Sequence, residues 1–257
     1  MAAPPSPSPL WDALALDTDP CPVVAVVGGG GKSALIYRLG SEAAALGRRA
    51  VLTGTTRFTR AASGAQFRVV VAADDSLPRA VAAALATEPV VIATRECLPK
   101  ARLAGLAPQS VAALAAMPGV GLVAIHADGS RQRPFKAPGE HEPTIPDAAT
   151  HVVAVVGLDA LGAPIDETHV HRPQSVLALV GAATHCDASV IARVMVDARG
   201  GRKNVANRAF VVVVNKSAAD PAAAAMLARA IREAGAARVV TTELHDAANP
   251  VRSVLTP

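Results

Sequence analysis

A glycine-rich segment near the start of the chain has the residue types that bind phosphate. Residues 23–33 read VVAVVGGGGKS, and the helix-forming segment ALIYRLGSEAAALG follows directly. Glycines can adopt positive φ and let main-chain amides approach an anion, while the free amides and dipole of a helix start favour phosphate. The lysine would contact the outer phosphate oxygens and the serine would hold Mg²⁺. The residues expected to bind the nucleotide phosphates are Gly28, Gly29, Gly30, Gly31, Lys32 and Ser33.

This motif lacks one element of the complete phosphate loop. The full pattern GxxxxGK[ST] requires glycine at position 26, where this chain has Val26. A glycine-rich turn between a strand and a helix also occurs in α/β proteins that bind no nucleotide, and this structural interpretation stays open. The order of strand, glycines, GKS and helix favours a nucleotide phosphate.

Further polar residues follow other apolar runs and could complete a nucleotide site. Asp128 closes the run GLVAIHAD and resembles the Walker-B carboxylate that holds Mg²⁺, although an Asp-Gly turn needs no metal. Thr55 and Thr56 follow the second run, where hydroxyls can contact the γ-phosphate or its Mg²⁺, or cap the next element. Both roles are expectations for the same edge of a sheet.

The pair Asn215 and Lys216 follows the run FVVVV and resembles the start of the NKxD element that reads guanine. Position 218 is alanine, and the nearest carboxylate, Asp220, is typical of a helix N-cap. The sequence therefore predicts Mg²⁺ with ATP or GTP and leaves the base open.

Two charged segments could contact a second substrate. Residues 128–146 read DGSRQRPFKAPGEHEPTIP and residues 157–173 read GLDALGAPIDETHVHRP. Loops with both signs of charge are typical of binding surfaces, although a solvated connection has the same composition. We expect acid or base catalysis from Glu140 or His141 and substrate contacts from Arg131, Lys136, Glu142, Asp159, His171 and Arg172.

Two histidines, a basic segment and three cysteines are further candidates for chemistry. His169 and His171 could bind a metal together with Asp166, but no third ligand is fixed by spacing. The basic residues 199–208, RGGRKNVANR, could close over an anion or form an exposed turn. Chemistry on a cysteine is disfavoured, because Cys21, Cys97 and Cys186 have no evident environment that lowers a thiol pKa.

The elements that would position these residues alternate between apolar strands and helices rich in Ala, Leu and Arg. Strands are predicted at residues 23–27, 50–53, 67–71, 90–93, 121–125, 151–156, 210–214 and 238–241. Helices are predicted at residues 32–46, 76–86, 108–117, 187–197 and 220–234.

Continuous apolar strands such as FVVVV imply burial on both faces. The fold class is therefore α/β, a mostly parallel sheet flanked by helices on both faces and similar to a P-loop NTPase. We expect residues 1–19 to form a Pro/Ala-rich extension with a possible short helix, and residues 20–257 to form a single domain.

Composition limits the function classes. The chain has 257 residues, of which 51% are hydrophobic, which is enough for a full core. Aromatic residues make up 2%, too few for stacking on nucleic-acid bases, and the net charge of +4 suits an anionic ligand. No apolar run reaches the length of a membrane span, the start lacks the features of a signal or transit peptide, and three cysteines show no CxxC spacing. We therefore expect a cytoplasmic protein that binds neither nucleic acid nor membrane.

Five blocks of sequence together resemble the YqeC family of selenium cofactor biosynthesis proteins. They are GGGGKS, TGTTR, ADGSRQRPFKAPGEHEPTIP, VVGLDALGAPIDETHVHRP and VVVVNK, in family order between about residues 10 and 250. The resemblance implies a P-loop protein acting in the maturation of selenium-dependent molybdenum hydroxylases. It also implies that the hydroxylase or a selenium-delivery protein is its partner.

The resemblance assigns the phosphate loop to Gly28, Gly31, Lys32 and Ser33, and the acidic signature to Asp128, Lys136, Glu140, His141 and Glu142. Family members carry Glu just before the ADG element, where this chain has His126. The productive event could be NTP hydrolysis or phosphoryl transfer. Two alternatives stay open: a nucleotide-gated docking module with little turnover, and a small-molecule kinase.

Overall fold

The computed structural model of the protein describes residues 9–60 and 66–257 and has an α/β architecture. Within these residues the strands are β1 Val23–Gly28, β2 Arg49–Gly54, β3 Phe58–Thr59, β4 Arg68–Val71, β5 Val90–Thr94, β6 Cys97–Leu98, β7 Arg102–Leu103, β8 Val120–His126, β9 Phe135–Lys136, β10 His151–Gly157, β11 Val170–His171, β12 Ala209–Asn215, β13 Val239–Thr242 and β14 Val251–Leu255. The α-helices are α1 Pro9–Ala13, α2 Lys32–Ala45, α3 Leu77–Leu85, α4 Pro108–Ala115, α5 Pro173–Val180, α6 Ala188–Val196 and α7 Pro221–Glu233.

The main sheet has nine strands in the order β14-β13-β12-β10-β1-β8-β2-β5-β4. The strand pairs β10 with β12, β12 with β13, β2 with β8, β2 with β5 and β4 with β5 are parallel, whereas β14 pairs antiparallel with β13. Central strands such as β10 are buried along their whole length because helices cover both faces of a parallel sheet. The predicted α/β class with a mostly parallel sheet is therefore confirmed.

The chain divides into two compact units, and the first comprises the residues up to Ala25, Ser33–His126 and Pro146–Thr150. It holds β2, β4, β5, β8 and a small sheet in the order β3-β7-β6. Helix α1 belongs to this unit, because Leu10 and Trp11 are fully buried. The carboxylate of Glu42 accepts hydrogen bonds from their amides at 3.1 and 2.9 Å. Helix α1 is therefore packed into the core of this unit.

The second unit comprises Val26–Lys32, Ala127–Ile145 and His151–Pro257. It holds β10, β12, β13 and β14, the helices α5, α6 and α7, and the two-stranded sheet of β9 and β11. Helix α7 begins where the sequence predicts, since the side chain of Asp220 accepts from the amide of Ala223 at 2.9 Å and proline occupies the first turn. None of the helices in the described residues is long and apolar enough to cross a membrane.

Candidate functional site

The glycine loop between β1 and α2 has a backbone conformation that favours glycine. Gly28, Gly30 and Gly31 have φ values of 91°, 76° and 146°. A Cβ atom on Gly28 would lie 2.2 Å from the carbonyl oxygen of Val155, and one on Gly30 would lie 2.2 Å from the amide nitrogen of Gly157. The run of glycines is therefore required by the close approach of neighbouring backbone as well as by positive φ.

Three amides of this loop already donate hydrogen bonds within the protein. The amide of Gly28 donates to Asp128 Oδ2 at 3.0 Å, while those of Gly29 and Gly30 donate to main-chain oxygens at 2.8 and 3.1 Å. Of the four glycine amides, that of Gly31 donates to no described residue and could bind an anion. An anion would thus find fewer free loop amides than the four glycines expected from the sequence.

Asp128 lies between two buried lysines. Its Oδ1 is 3.1 Å from Lys32 Nζ, and its Oδ2 is 3.0 Å from Lys136 Nζ. Lys32 also donates to the carbonyl oxygen of Gly28. Burial lowers the pKa of Lys32, and the charge of Asp128 opposes that shift. In this structure Lys32 is paired with the carboxylate that the sequence analysis predicted to hold Mg²⁺.

One oxygen of Asp128 keeps acceptor capacity. Oδ1 is buried, and its ion pair with Lys32 lacks hydrogen-bond geometry, so no described residue donates to it. Carboxylate oxygens are the ligands that Mg²⁺ prefers, usually one or two of them together with phosphates and water. The described residues contain no group of three or more His, Cys, Asp or Glu side chains suited to a metal. Asp128 therefore fits a Mg²⁺ ion that arrives with a nucleotide and takes its other ligands from phosphate and water.

Glu142 continues this cluster on the other side of Lys136. Lys136 Nζ is 2.6 Å from Glu142 Oε2 and also donates to the carbonyl oxygen of Gly129 at 2.7 Å. Arg172 forms a second ion pair with the same carboxylate oxygen. Burial raises the pKa of Glu142, but the hydrogen bonds from Arg172 and Lys136 outweigh it and lower that pKa to about 2. The cluster therefore has three cations around two carboxylates.

His171 lies beside these cations in the small sheet. It is in register with Lys136 in the parallel pair of β9 and β11. Burial and then the positive charges of Lys136 and Arg172 lower the pKa of His171 to about 4. Its imidazole is therefore neutral at physiological pH and can donate or accept one hydrogen bond at each ring nitrogen.

The basic loop of residues 199–208 fixes the segment that carries Glu142. Lys203 Nζ donates to the carbonyl oxygens of Gly139 and Glu140 at 2.6 and 2.7 Å, and Asn204 donates to that of Pro143 at 3.0 Å. The side chains of Glu140 and His141 are exposed. Among the described residues, no hydrogen bond or ion pair joins those two side chains to the Asp128 cluster.

Asn215, at the end of β12, is hydrogen-bonded to the glycine loop. Its Nδ2 donates to the carbonyl oxygen of Gly30 at 2.9 Å, and its Oδ1 accepts from Thr242 Oγ1 at 3.1 Å and from the amide of Leu244 at 3.2 Å. The side chain is 1% exposed, so both of its polar ends are used inside the protein. Lys216, the next residue, forms an exposed ion pair with Asp159 at 2.5 Å.

The remaining predicted residues lie in the first unit or on the surface. The amide of Thr55 donates to the carbonyl oxygen of His126 at 3.0 Å, and Thr56 Oγ1 is buried with no hydrogen-bond partner among the described residues. His126 stacks on Phe58 with ring centroids 5.0 Å apart. Ser33 lies in the first turn of α2, and Arg131 is exposed.

Sequence reasoning missed one acidic residue at this edge. Glu243 follows β13 directly and accepts a hydrogen bond from the amide of Ala218 at 3.3 Å. The rule that polar residues after parallel strands share one edge would have found it.

Comparisons with known proteins identify the family. The family described as "YqeC protein" matches residues 24–174, which include the glycine loop, Asp128, Lys136, Glu142 and Arg172. The chain is similar to the uncharacterized protein YqeC of Escherichia coli (strain K12), with 36% identity over 151 residues. That similarity covers 58% of this chain and 57% of the relative, so it spans little more than half of each. The chain belongs to the YqeC family.

Proposed function

We propose that this protein binds a nucleoside triphosphate, ATP or GTP, together with Mg²⁺ at the glycine loop, and uses it in the maturation of selenium-dependent molybdenum hydroxylases. The observation that carries the nucleotide part is the buried Lys32–Asp128 ion pair, which lies where the glycine loop enters α2. The maturation role and its partner, a hydroxylase or a selenium-delivery protein, follow from the family resemblance.

The opposite charges of Lys32 and Asp128 explain how this site could accept a nucleotide with its Mg²⁺. At rest, Lys32 and Asp128 neutralise each other in a buried position. A phosphate chain with its Mg²⁺ would offer an anion to Lys32 and a cation to Asp128, so that neither buried charge is left unpaired. Separating the pair without such a ligand would be costly, because an uncompensated buried charge costs about 3–5 kcal/mol.

The cluster beyond Asp128 would act on the second substrate. Lys136, Arg172 and neutral His171 can orient an anionic group next to the phosphates, while Glu142 holds the two cations in place. When bound, Mg²⁺ would neutralise charge on the transferring phosphoryl group. Catalysis would then rest on positioning and electrostatic stabilisation.

One observation favours a nucleotide-gated docking module as the second candidate. Three loop amides and Lys32 already have partners within the protein, so a nucleotide that engaged them would rearrange the loop. A switch of this kind would hydrolyse the nucleotide appreciably only when a partner is present. Turnover measured with and without candidate partners separates the two functions.

The test uses Asp128→Asn, which keeps the shape of the side chain and removes its charge. We expect calorimetry with ATP and GTP to show that Mg²⁺ strengthens binding to the natural protein, and that the variant loses this Mg²⁺-dependent gain. Asp75→Asn, an exposed residue without a recorded ion pair in the described structure, is the control and should keep the gain. An equal Mg²⁺ effect in Asp128→Asn would exclude Asp128 as the metal ligand.

A further inference from the structure

The loops that follow β12 and β13 are fixed to each other at the same edge of the second unit. Asn215 and Thr242 are in register in the parallel pair. The amide and the hydroxyl of Ser217 both donate to the carbonyl oxygen of Thr242, at 3.0 and 2.9 Å. Thr242 in turn donates to Asn215 at 3.1 Å. The two loops therefore form one rigid surface.

The same network ties this surface to the glycine loop. Asn215 accepts from the amide of Leu244 at 3.2 Å and donates to the carbonyl oxygen of Gly30 at 2.9 Å. A Cβ atom on Gly31 would lie 2.3 Å from Asn215 Nδ2. A nucleotide whose phosphates lie at Gly31 would thus have the loops after β12 and β13 next to it, where its base can reach them.

Glu243 places a carboxylate on this surface. Its Oε2 accepts from the amide of Ala218 at 3.3 Å, which holds the carboxylate beside the small side chain of that residue. Glu243 is partly exposed, and among the described residues nothing donates to its Oε1. This is an acceptor with one oxygen anchored and the other open to a ligand.

Lys216 lies in the loop after β12, directly after Asn215. Its backbone is left-handed, with φ 65°, and its ammonium group is held by Asp159 at 2.5 Å. With the ammonium fixed in this way, the aliphatic stem of the lysine is available to cover a flat ring. The loop after β12 therefore offers an aliphatic stem at Lys216, two residues before Ala218, whose amide donates to Glu243.

We propose that Glu243 reads the nucleobase and makes guanine the preferred base, a proposal that rests on the proposed nucleotide binding. Guanine presents two adjacent donors, N1–H and the 2-amino group, which match the open Oε1 and the second acceptor position of Oε2, whose first accepts from Ala218. Adenine and cytosine present an unprotonated ring nitrogen there, and uracil presents a single donor between two carbonyls. Glu243 thus supplies the carboxylate that the sequence lacks at position 218, from a strand that follows later in the chain.

The test compares GTP, XTP and ATP in the presence of Mg²⁺. We expect the natural protein to prefer GTP over ATP, and Glu243→Gln to lower GTP affinity by about tenfold or more, because a buried donor or acceptor without its partner is costly. The variant should also bind XTP better relative to GTP, since the new amide can donate to the 2-oxo group of xanthine. Asp246→Asn on the same loop makes the same charge change and should keep the natural preference.

The outcomes separate the two proposals. Binding of ATP and GTP with equal affinity, or a GTP preference unchanged by Glu243→Gln, would overturn base reading by Glu243 and leave nucleotide binding intact. Absence of any nucleotide binding to the natural protein would overturn both. A circular dichroism spectrum of Glu243→Gln identical to that of the natural protein establishes that lost preference is not lost folding.

Discussion

Asp128 is the residue on which the proposed phosphate site depends. It accepts from the amide of Gly28 and pairs with both Lys32 and Lys136, so it fixes the loop backbone and two buried cations at once. At the residue scale, the site is a row of alternating positive and negative side chains. A ligand that carries both signs, such as a phosphate with its Mg²⁺, could replace the ion pair between Lys32 and Asp128 with one partner for each.

Glu142 gives this row a measurable dependence on pH. Its folded pKa of about 2 lies below the ordinary value of 4.5, so its ionised form stabilises the fold. That stabilisation is fully present above pH 4.5 and is lost as the pH falls toward 2. We expect the loss to be about 2 kcal/mol, since partial exposure screens the ion pairs.

Denaturant unfolding between pH 7 and pH 2 measures this contribution. Glu142→Gln should lower stability at neutral pH and should lack the part of the acid-induced loss that belongs to Glu142. Glu233→Gln, on the exposed end of α7, is the control and should follow the natural protein. Parallel pH curves for the natural protein and Glu142→Gln would contradict the depressed pKa.

At the element scale, the glycine loop is held by its neighbours and does not need a ligand to keep its shape. Val155, Gly157 and the main chain near Pro134 leave no room for a side chain at residues 28–30. The loss of stability on replacing a glycine of this loop therefore measures steric overlap and backbone strain together.

Gly30→Ala should destabilise the protein by about 3 kcal/mol or more, because its Cβ overlaps backbone atoms that have no rotamer to escape into. Gly162→Ala is a matched control, with φ 78° and no atom near its Cβ. It should cost about 1 kcal/mol, the strain of the left-handed backbone alone. Thermal or urea unfolding measures both, and equal costs would show that packing around the loop is loose.

The helices and strands around the site agree with the sequence-based prediction where apolar runs or helix-forming residues give a clear pattern. All eight predicted strands and all five predicted helices occur, within a few residues of their expected ends. Helix α5 and the antiparallel edge strand β14 were not predicted, because the first follows a long charged loop and the second, VRSVL, is a short, mostly exposed run. Local sequence patterns predict buried strands and helices better than exposed strands at the edge of the sheet.

The site was predicted less completely than the fold, because its contacts join residues far apart in sequence. The sequence indicated that Asp128, Lys136, Glu142 and Arg172 are polar residues near strand ends. It could not indicate that they form one chain of ion pairs, or that Asn215 joins the glycine loop to the residues that follow β13. Hydrogen-bond satisfaction is a property of the folded arrangement.

At the scale of the whole molecule, the residues of the Asp128 cluster and of the Asn215 network all belong to the second unit. Thr55, Thr56 and His126 belong to the first unit, together with the N-terminal segment that packs on Glu42. The proposed nucleotide site and base reader can therefore be tested through variants of the second unit alone, in the full chain.

The most direct measurement is the affinity of the full chain for Mg²⁺–GTP and Mg²⁺–ATP by calorimetry, with Lys32→Ala as the variant. The account predicts that the natural protein binds and that Lys32→Ala loses binding, while Arg229→Ala, an exposed cation on α7, binds as the natural protein does. A bound ligand should also raise the unfolding temperature of the natural protein and leave that of Lys32→Ala unchanged. Equal affinity in the natural protein and a folded Lys32→Ala variant would contradict the phosphate-binding role of the glycine loop.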